Sequence, residues 1–482
     1  MTKECIDSKV FVRDFTKELH NNNVAVFAGA GLSMASGYVD WTGLLREIIE
    51  DLKLDPEQET DLVTLAQYHC NQAGNNKSVL TQRIFEEFSK TTEPTENHRI
   101  LSRLPIQTYW TSNYDKLIET AIQGAKKVPD VKYTNKQLAV TRPDRDVIVY
   151  KMHGDVEHAS DAVISKDDYE EYPFKMGPFV TALRGDLVEK TFLFLGFSFT
   201  DPNLDYILSR VRVQYERNSR QHFCIQRAVT QWSGELDEDF QKRKLKQEYF
   251  IQDLKRFGIK TVLVAEYSEI TELLKKVEER FKRKSIFIAG AAHDFSPWDQ
   301  GEVEEFCHKL SYRILQKGNR VVTGFGLGVG GPVINGALAY LNDKDKTVTD
   351  EHIMMRPFPQ VATGGTSLAD RWRVYRESMV QYAGIAVFLF GNKEQGGTVV
   401  PSNGMRQEFE IAVTAGLKPL PVGATGYMAR ELWNEVLTSF DTHFPGCTAS
   451  FRSEFQELGN TSLSLSDLEN VLIQLIEKLQ RG

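Results

Sequence analysis

The stretch Val24-Ala25-Val26-Phe27-Ala28-Gly29-Ala30-Gly31-Leu32-Ser33-Met34 runs four apolar residues without a break into a turn of small ones. A short apolar run closed by glycine predicts a strand buried on both faces, and glycine lets the backbone turn tightly into a helix. Amides at such a turn can approach a phosphate, and the helix start favours its charge. The stretch lacks the third glycine of the dinucleotide fingerprint and the Gly-Lys-Ser/Thr of a Walker loop. By itself such a stretch is more often an ordinary tight βα turn, so the rest of the chain decides.

Outward from it, apolar runs at 106–111, 147–151, 192–196, 222–226 and 261–265 alternate with amphipathic stretches, the pattern of parallel strands joined by helices. Residues 266–284 are helical in period and dense in charge. A second series then begins at 285–290, followed by 320–323, 385–391 and 418–422. The restart predicts two α/β domains, 1–283 and 284–482.

Composition bounds the function. The 482 residues are 41% hydrophobic and 26% charged, as in folded globular chains, so disorder is not expected. Against 66 Asp and Glu stand 58 Lys and Arg, a net charge of −8, so no general attraction to nucleic acid is expected and any anionic ligand needs a local site. Cys5, Cys70, Cys224, Cys307 and Cys447 lie far apart with no C-x-x-C pair. That spacing predicts neither a disulfide framework nor a zinc ribbon, and no metal. The N-terminal residues have no apolar signal core, and no window approaches the ~18 apolar residues of a spanning helix. A cytoplasmic chain that avoids membranes is the expectation.

Four further segments keep company with the first glycine turn, most of them at the ends of predicted strands, where open α/β sheets place ligands. They are Gly37-Tyr38-Val39-Asp40-Trp41, Thr111-Ser112-Asn113-Tyr114-Asp115, His153-Gly154-Asp155, and Gly196-Phe197-Ser198 leading into Asp201-Pro202-Asn203-Leu204. A lone histidine after a strand is more often packed or at the surface than catalytic, and Asn-x-Asp is commonly a turn or a cap. Asp201-Pro202-Asn203 equally suits a turn that caps the next helix. Taken in order, however, the five segments resemble the sirtuin family, with its GAGxS, GIPDFR, TQNxD, HG and GTS elements.

The departures are informative. Sirtuin deacetylases carry a four-cysteine zinc module between the HG and GTS elements, and this chain has no cysteine between Cys70 and Cys224. The second element keeps Gly37, Asp40 and an aromatic residue, Trp41, but lacks Pro and Arg. Cleavage of NAD+ therefore fits better than acyl-lysine chemistry. The resemblance implies Asn113 and His153 as catalytic residues. It implies Ala28, Gly29, Ala30, Gly31, Ser33, Asp40, Asp115, Gly196 and Ser198 as the NAD+ site. Among these, Asp115 would meet the carboxamide, Ser33 and the glycine turn the phosphates and ribose, and Ser198 the adenosine half.

The C-terminal half opens on a second strand-to-glycine turn at 286–292, and Gly324-Phe325-Gly326-Leu327-Gly328-Val329-Gly330-Gly331-Pro332 precedes another helix. Gly326, Gly328 and Gly331 form a formal G-x-G-x-x-G, but no acidic residue follows at the end of a second strand, so a phosphate-friendly helix start is the better reading. Arg371, Arg373 and Arg376 share a predicted helix, Lys393 follows a strand, and Gly396-Gly397-Thr398 leads to Glu408. Converging cations suit a doubly phosphorylated ligand, although a basic helix is often only a solvated face. This half resembles SLOG domains. The resemblance implies an effector site of Gly290, Arg371, Arg376, Lys393, Gly397 and Glu408.

The fold class expected is thus α/β, a sirtuin-like Rossmann-type parallel sheet followed by a Rossmann-like SLOG domain. Together the halves resemble the sirtuin-like/SLOG effectors of the bacterial Thoeris anti-phage system. That implies an NAD+ glycohydrolase, activated by a cyclic ADP-ribose isomer from a TIR-domain partner protein and acting as a homotetramer or larger homo-oligomer to deplete NAD+. An NAD-dependent deacylase or ADP-ribosyltransferase, and a non-enzymatic nucleotide sensor, are the competing readings.

Overall fold

The computed structural model describes residues 5–215, 220–359, 361, 365 and 367–481. The chain divides into two compact units between Glu278 and Glu279, within the helix Ser268–Lys282. Both are α/β, as the alternation of apolar and amphipathic stretches predicts.

The first unit is built on a seven-stranded sheet of β1 (Val24–Ala28), β2 (Thr108–Thr111), β3 (Pro129–Lys132), β4 (Val147–Lys151), β5 (Thr191–Leu195), β6 (His222–Arg227) and β7 (Ile259–Val264). The order is β3-β4-β2-β1-β5-β6-β7, and every pairing is parallel. All five residues of β1 and of β5 are buried, which explains why they read as unbroken apolar runs rather than as alternation. Phe27, Trp110, Phe179, Phe192 and Phe194 belong to one core cluster, and Leu45, Ile48, Leu65, Ile84 and Leu117 to another.

β3 was not among the expected strands, for a physical reason. It reads Pro-Asp-Val-Lys, and its polar residues are buried because Lys132 and Asp130 pair at 2.8 Å. Pattern reading looks for apolar burial and passes over a buried ion pair at a sheet edge.

In the second unit the sheet is formed by β8 (Ser285–Ala291), β9 (Arg320–Thr323), β10 (Ile353–Met355), β11 (Ile385–Phe390) and β14 (Lys418–Pro421), in the order β10-β9-β8-β11-β14. Between β11 and β14 an antiparallel hairpin stands apart, β12 (Asn392–Gln395) with β13 (Thr398–Pro401). The hairpin is mostly exposed, so its residues carry no apolar run that marks a strand. The C-terminal helix Leu465–Arg481 buries Leu468, Leu472, Leu475, Ile476 and Leu479 in the unit's core.

Each sheet has a point where successive connections leave in opposite directions. It lies at β1, flanked by β2 and β5, in the first unit, and at β8, flanked by β9 and β11, in the second. Crevices at the carboxyl ends of such strands are where open α/β sheets bind ligands.

Candidate active site

At the end of β1 the turn is held by backbone packing. Gly29 N donates to Leu195 O and Gly31 N to Gly196 O, both at 2.9 Å, so the turn after β1 lies directly on the turn after β5. A Cβ on Gly29 would lie 2.4 Å from Gly196 O, and one on Gly196, whose φ is +63°, would lie 2.2 Å from Leu32 N. Contact between two backbones therefore already requires these glycines. Ala28 closes β1, and its carbonyl accepts from Thr111 Oγ1 at 3.0 Å. Ala30 opens the short helix Ala30–Ser33.

Below this turn a chain of buried hydrogen bonds crosses from β2 to β1. Asn113 Nδ2 donates to Gly29 O and to Ser33 Oγ, each at 3.0 Å, and Ser33 Oγ donates to Asp115 Oδ2 at 2.7 Å. The other Asp115 oxygen accepts from Leu117 N at 2.9 Å. With both amide protons of Asn113 committed, Oδ1 is the group it offers a ligand. A cleft of about 310 Å³ lies over these residues, lined also by Ala30, Asp40, Trp41 and Leu44. Asp40 caps the helix Trp41–Asp51, accepting from Gly43 N at 2.8 Å.

Beneath the loops that carry Asn113 and His153 sits a fully buried cation. Lys151 Nζ donates to the carbonyls of Tyr114 (3.1 Å) and Asp115 (2.6 Å) and to Asp155 Oδ2 (2.5 Å), with Glu119 Oε1 at 3.2 Å. Burial pushes the Lys151 ammonium down, but Glu119 and Asp155 more than offset that and hold it above the ordinary lysine value. The same burial raises Glu119, with Lys151 opposing. One charge thus ties the loop after β2 to the loop after β4.

His153 is 1% exposed and does not line the cleft. Tyr169 packs edge-on to it at 5.3 Å and also packs against Trp41, a cleft residue, at 6.3 Å, so one aromatic ring contacts both. The Nε2 of His153 lies 2.9 Å from Asp201 Oδ2. Asp201 also caps the helix Pro202–Tyr215, which answers the open question of the turn: it is a cap, and it faces the histidine as well. Ser198 is exposed, with its hydroxyl 2.7 Å from Thr200 Oγ1.

Nearly the full length of the chain matches proteins named NAD(+) hydrolase ThsA. That of Bacillus cereus (strain MSX-D12) is 50% identical over 98% of this chain and 98% of its own. That of Acinetobacter baumannii (strain 532279) is 45% identical over 94% and 95%, and that of Enterococcus faecium 41% identical over 98% and 100%. The chain belongs to the ThsA family of NAD+ hydrolases. Within it, residues 107–254 match the SIR2-like domain and residues 269–479 the Sir2- and TIR-associating SLOG family.

In the SLOG unit of this ThsA-family chain the crevice is sparser. A Cβ on Gly326 would fall 1.8 Å from Gly290 O and one on Gly290 would fall 2.9 Å from Val329 Cγ1, so the glycine loop is pressed onto the end of β8. On the helix Leu368–Val380, buried Arg376 donates from Nη1 to Gln407 Oε1 at 2.8 Å and lies over the Phe358 ring at 5.1 Å. Its Nε stands 3.7 Å from Glu408 Oε1, beyond hydrogen-bond reach. Burial pushes the Glu408 carboxyl up to about 7, with Arg376 only partly opposing. Arg371, on the same helix, is half-buried, whereas Lys393 and Gly397 are exposed on the β12–β13 hairpin. Among the described residues no group of three or more His, Cys, Asp or Glu could hold a metal ion, and no helix is long and apolar enough to cross a membrane.

Sequence reasoning missed Lys151, Glu119, Tyr169 and the pairing of Asp201 with His153. A lysine two residues before the His-Gly pair, at the end of a strand otherwise read as buried, was the available signal.

Proposed function

We propose that the crevice of the first unit binds NAD+ and hydrolyses the bond between nicotinamide and ribose, with Asn113 and His153 as its catalytic residues. The observation that carries this reading is the buried relay from Asn113 through Ser33 to Asp115 at the switch point of the sheet, in a chain of the ThsA family. The pyridinium nitrogen of NAD+ is already cationic, so the C1′–N bond breaks with its electron pair passing to nicotinamide and no general acid is required. The oxygen of water bonds to C1′, and its proton passes to His153 and then to solvent. Nicotinamide, ADP-ribose and one proton are the products. Asn113 Oδ1 orients a ribose hydroxyl or the water, and fixed dipoles of this kind stabilise developing charge without reorganising. Ala28, Gly29, Ala30, Gly31, Ser33, Asp40, Asp115, Gly196 and Ser198 hold the rest of the dinucleotide.

The second crevice binds a cyclic ADP-ribose isomer made by a TIR-domain partner protein, and that binding raises turnover in the first unit. Arg376, Lys393 and Arg371 take the phosphates, Glu408 the ribose hydroxyls, and Gly290 and Gly397 allow close backbone approach. The chain acts in the cytoplasm as a homotetramer or larger homo-oligomer and depletes NAD+ in abortive defence against phage, without a metal. Incubating the protein with NAD+ and following free nicotinamide, with and without cyclic ADP-ribose isomers, acyl-lysine peptides and EDTA, tests the activity, its activation and its independence of metal. Release that the cyclic nucleotide raises, and that neither peptide nor EDTA alters, is expected. Dependence on the peptide or loss with EDTA overturns it.

A further inference from the structure

The helix that follows β5 begins with a carboxylate turned to two tasks. Asp201 Oδ1 accepts from the amides of Asn203 and Leu204, each at 2.9 Å, and Oδ2 lies 2.9 Å from His153 Nε2. Both side chains are buried. Burial pushes the Asp201 carboxyl up, but His153 and the two amides more than offset this and hold it below the ordinary aspartate value. The positive end of a helix adds to the same effect. A buried charge is tolerated where its lone pairs are taken up in this way.

We propose that Asp201 is the positioning residue of His153, its Oδ2 accepting the hydrogen bond of Nε2–H and so leaving the Nδ1 lone pair as the proton acceptor. A neutral imidazole has one donor and one acceptor nitrogen, and the group that meets the donor selects the tautomer. Nδ1 is buried and has no hydrogen-bond partner among the described residues, and in the Asp201 turn the same is true of Asn203 Nδ2. The edge-on rings of Tyr169 and Tyr172, at 5.3 and 6.5 Å, fix the plane of the imidazole. The Nε2 contact has hydrogen-bond length but not yet hydrogen-bond alignment, as is common before a substrate is bound. On proton transfer Nδ1 gains the proton of the attacking water, and the imidazolium is neutralised by Asp201 until the proton leaves to solvent.

This inference rests on His153 being the base, and the test separates the two. Asp201→Asn keeps a good N-cap but sets an NH2 donor opposite Nε2, favouring the wrong tautomer, and Asp201→Ser keeps a cap without the carboxylate. For nicotinamide release by the full chain, kcat is expected to fall at least ~100-fold in both variants, with KM for NAD+ within about twofold. The melting temperature should move by no more than roughly 3 °C. In a His153→Ala background, Asp201→Asn should cost nothing further, because coupled residues are not additive. Near-parental turnover in His153→Ala overturns both readings. With His153→Ala slowed but measurable, a near-parental kcat in Asp201→Asn, or an equal further loss in the double variant, overturns the role of Asp201 alone. Loss of the fold in both cap-preserving variants shows the carboxylate to be structural and overturns it too.

Discussion

The two crevices share a plan and differ in how far they are built in advance. Each lies at a switch point, over a glycine turn pressed backbone to backbone on a neighbouring strand end or turn. In the first unit, Asn113, Ser33, Asp115, Lys151, Asp155 and Glu119 are buried and linked by bonds between loops that follow different strands. In the second, buried Arg376 and partly buried Glu408 stand 3.7 Å apart, and Lys393 is exposed on a hairpin. Chemistry benefits from dipoles already fixed, whereas a sensor must bind two states differently, and groups not yet satisfied leave it free energy to gain on binding. The difference is what the proposed division, catalysis in the first crevice and recognition in the second, requires.

The largest effects should come from the first unit. Asn113→Ala and His153→Ala are expected to lower nicotinamide release by ~10²–10⁴-fold without loss of fold by circular dichroism. Near-normal release from either variant would break the comparison at its first term.

Opposite pH slopes offer a sharper contrast. Buried His222 accepts the amide of Phe192 at 3.1 Å, and burial lowers its pKa to about 3 from 6.5. Its contribution is fully present above pH 6.5 and is lost as pH falls toward 3, because the unfolded chain binds the extra proton. Glu408, raised to about 7 from 4.5, behaves in the opposite sense. The unfolded chain loses that proton first, so the second unit should lose up to about 3 kcal/mol as pH rises from 4.5 to 7. Hydrogen exchange read separately over 5–278 and 279–481 checks both slopes. Glu408→Gln should abolish the second and leave the first, and a slope that survives this substitution rules out Glu408 as its source.

Smaller effects distinguish buried from exposed cations. Arg376→Ala removes charge-assisted bonds of roughly 1.5–3 kcal/mol, so titration calorimetry of a cyclic ADP-ribose isomer on the full chain should show binding ~10–150-fold weaker. Lys393→Ala should cost less than about fivefold, a difference that added salt erases. Equal losses at the two positions would mean that the hairpin closes over the ligand, so that the second crevice is not as open when occupied.

Much of the fold is legible in the residues. The apolar runs at 24–27, 192–196 and 385–391 declare strands because strands buried on both faces must be apolar throughout. The glycines declare their turns because a Cβ would strike backbone, and Ala30, Ser33, Asp40, Asn113 and Asp115, singled out by their segments, line one cleft. Tertiary structure alone decided which of those residues meet. Nothing local tells that β5 pairs with β1, yet that pairing sets the Gly196 turn on Gly31 and brings Asp201 to His153 across 47 intervening residues. Nor does composition tell that Lys151, Asp130 and Lys132 are buried, since a charged side chain goes inside only where partners from distant segments satisfy it. Burial and pairing are properties of the packed chain, and the chemistry of both crevices rests on them.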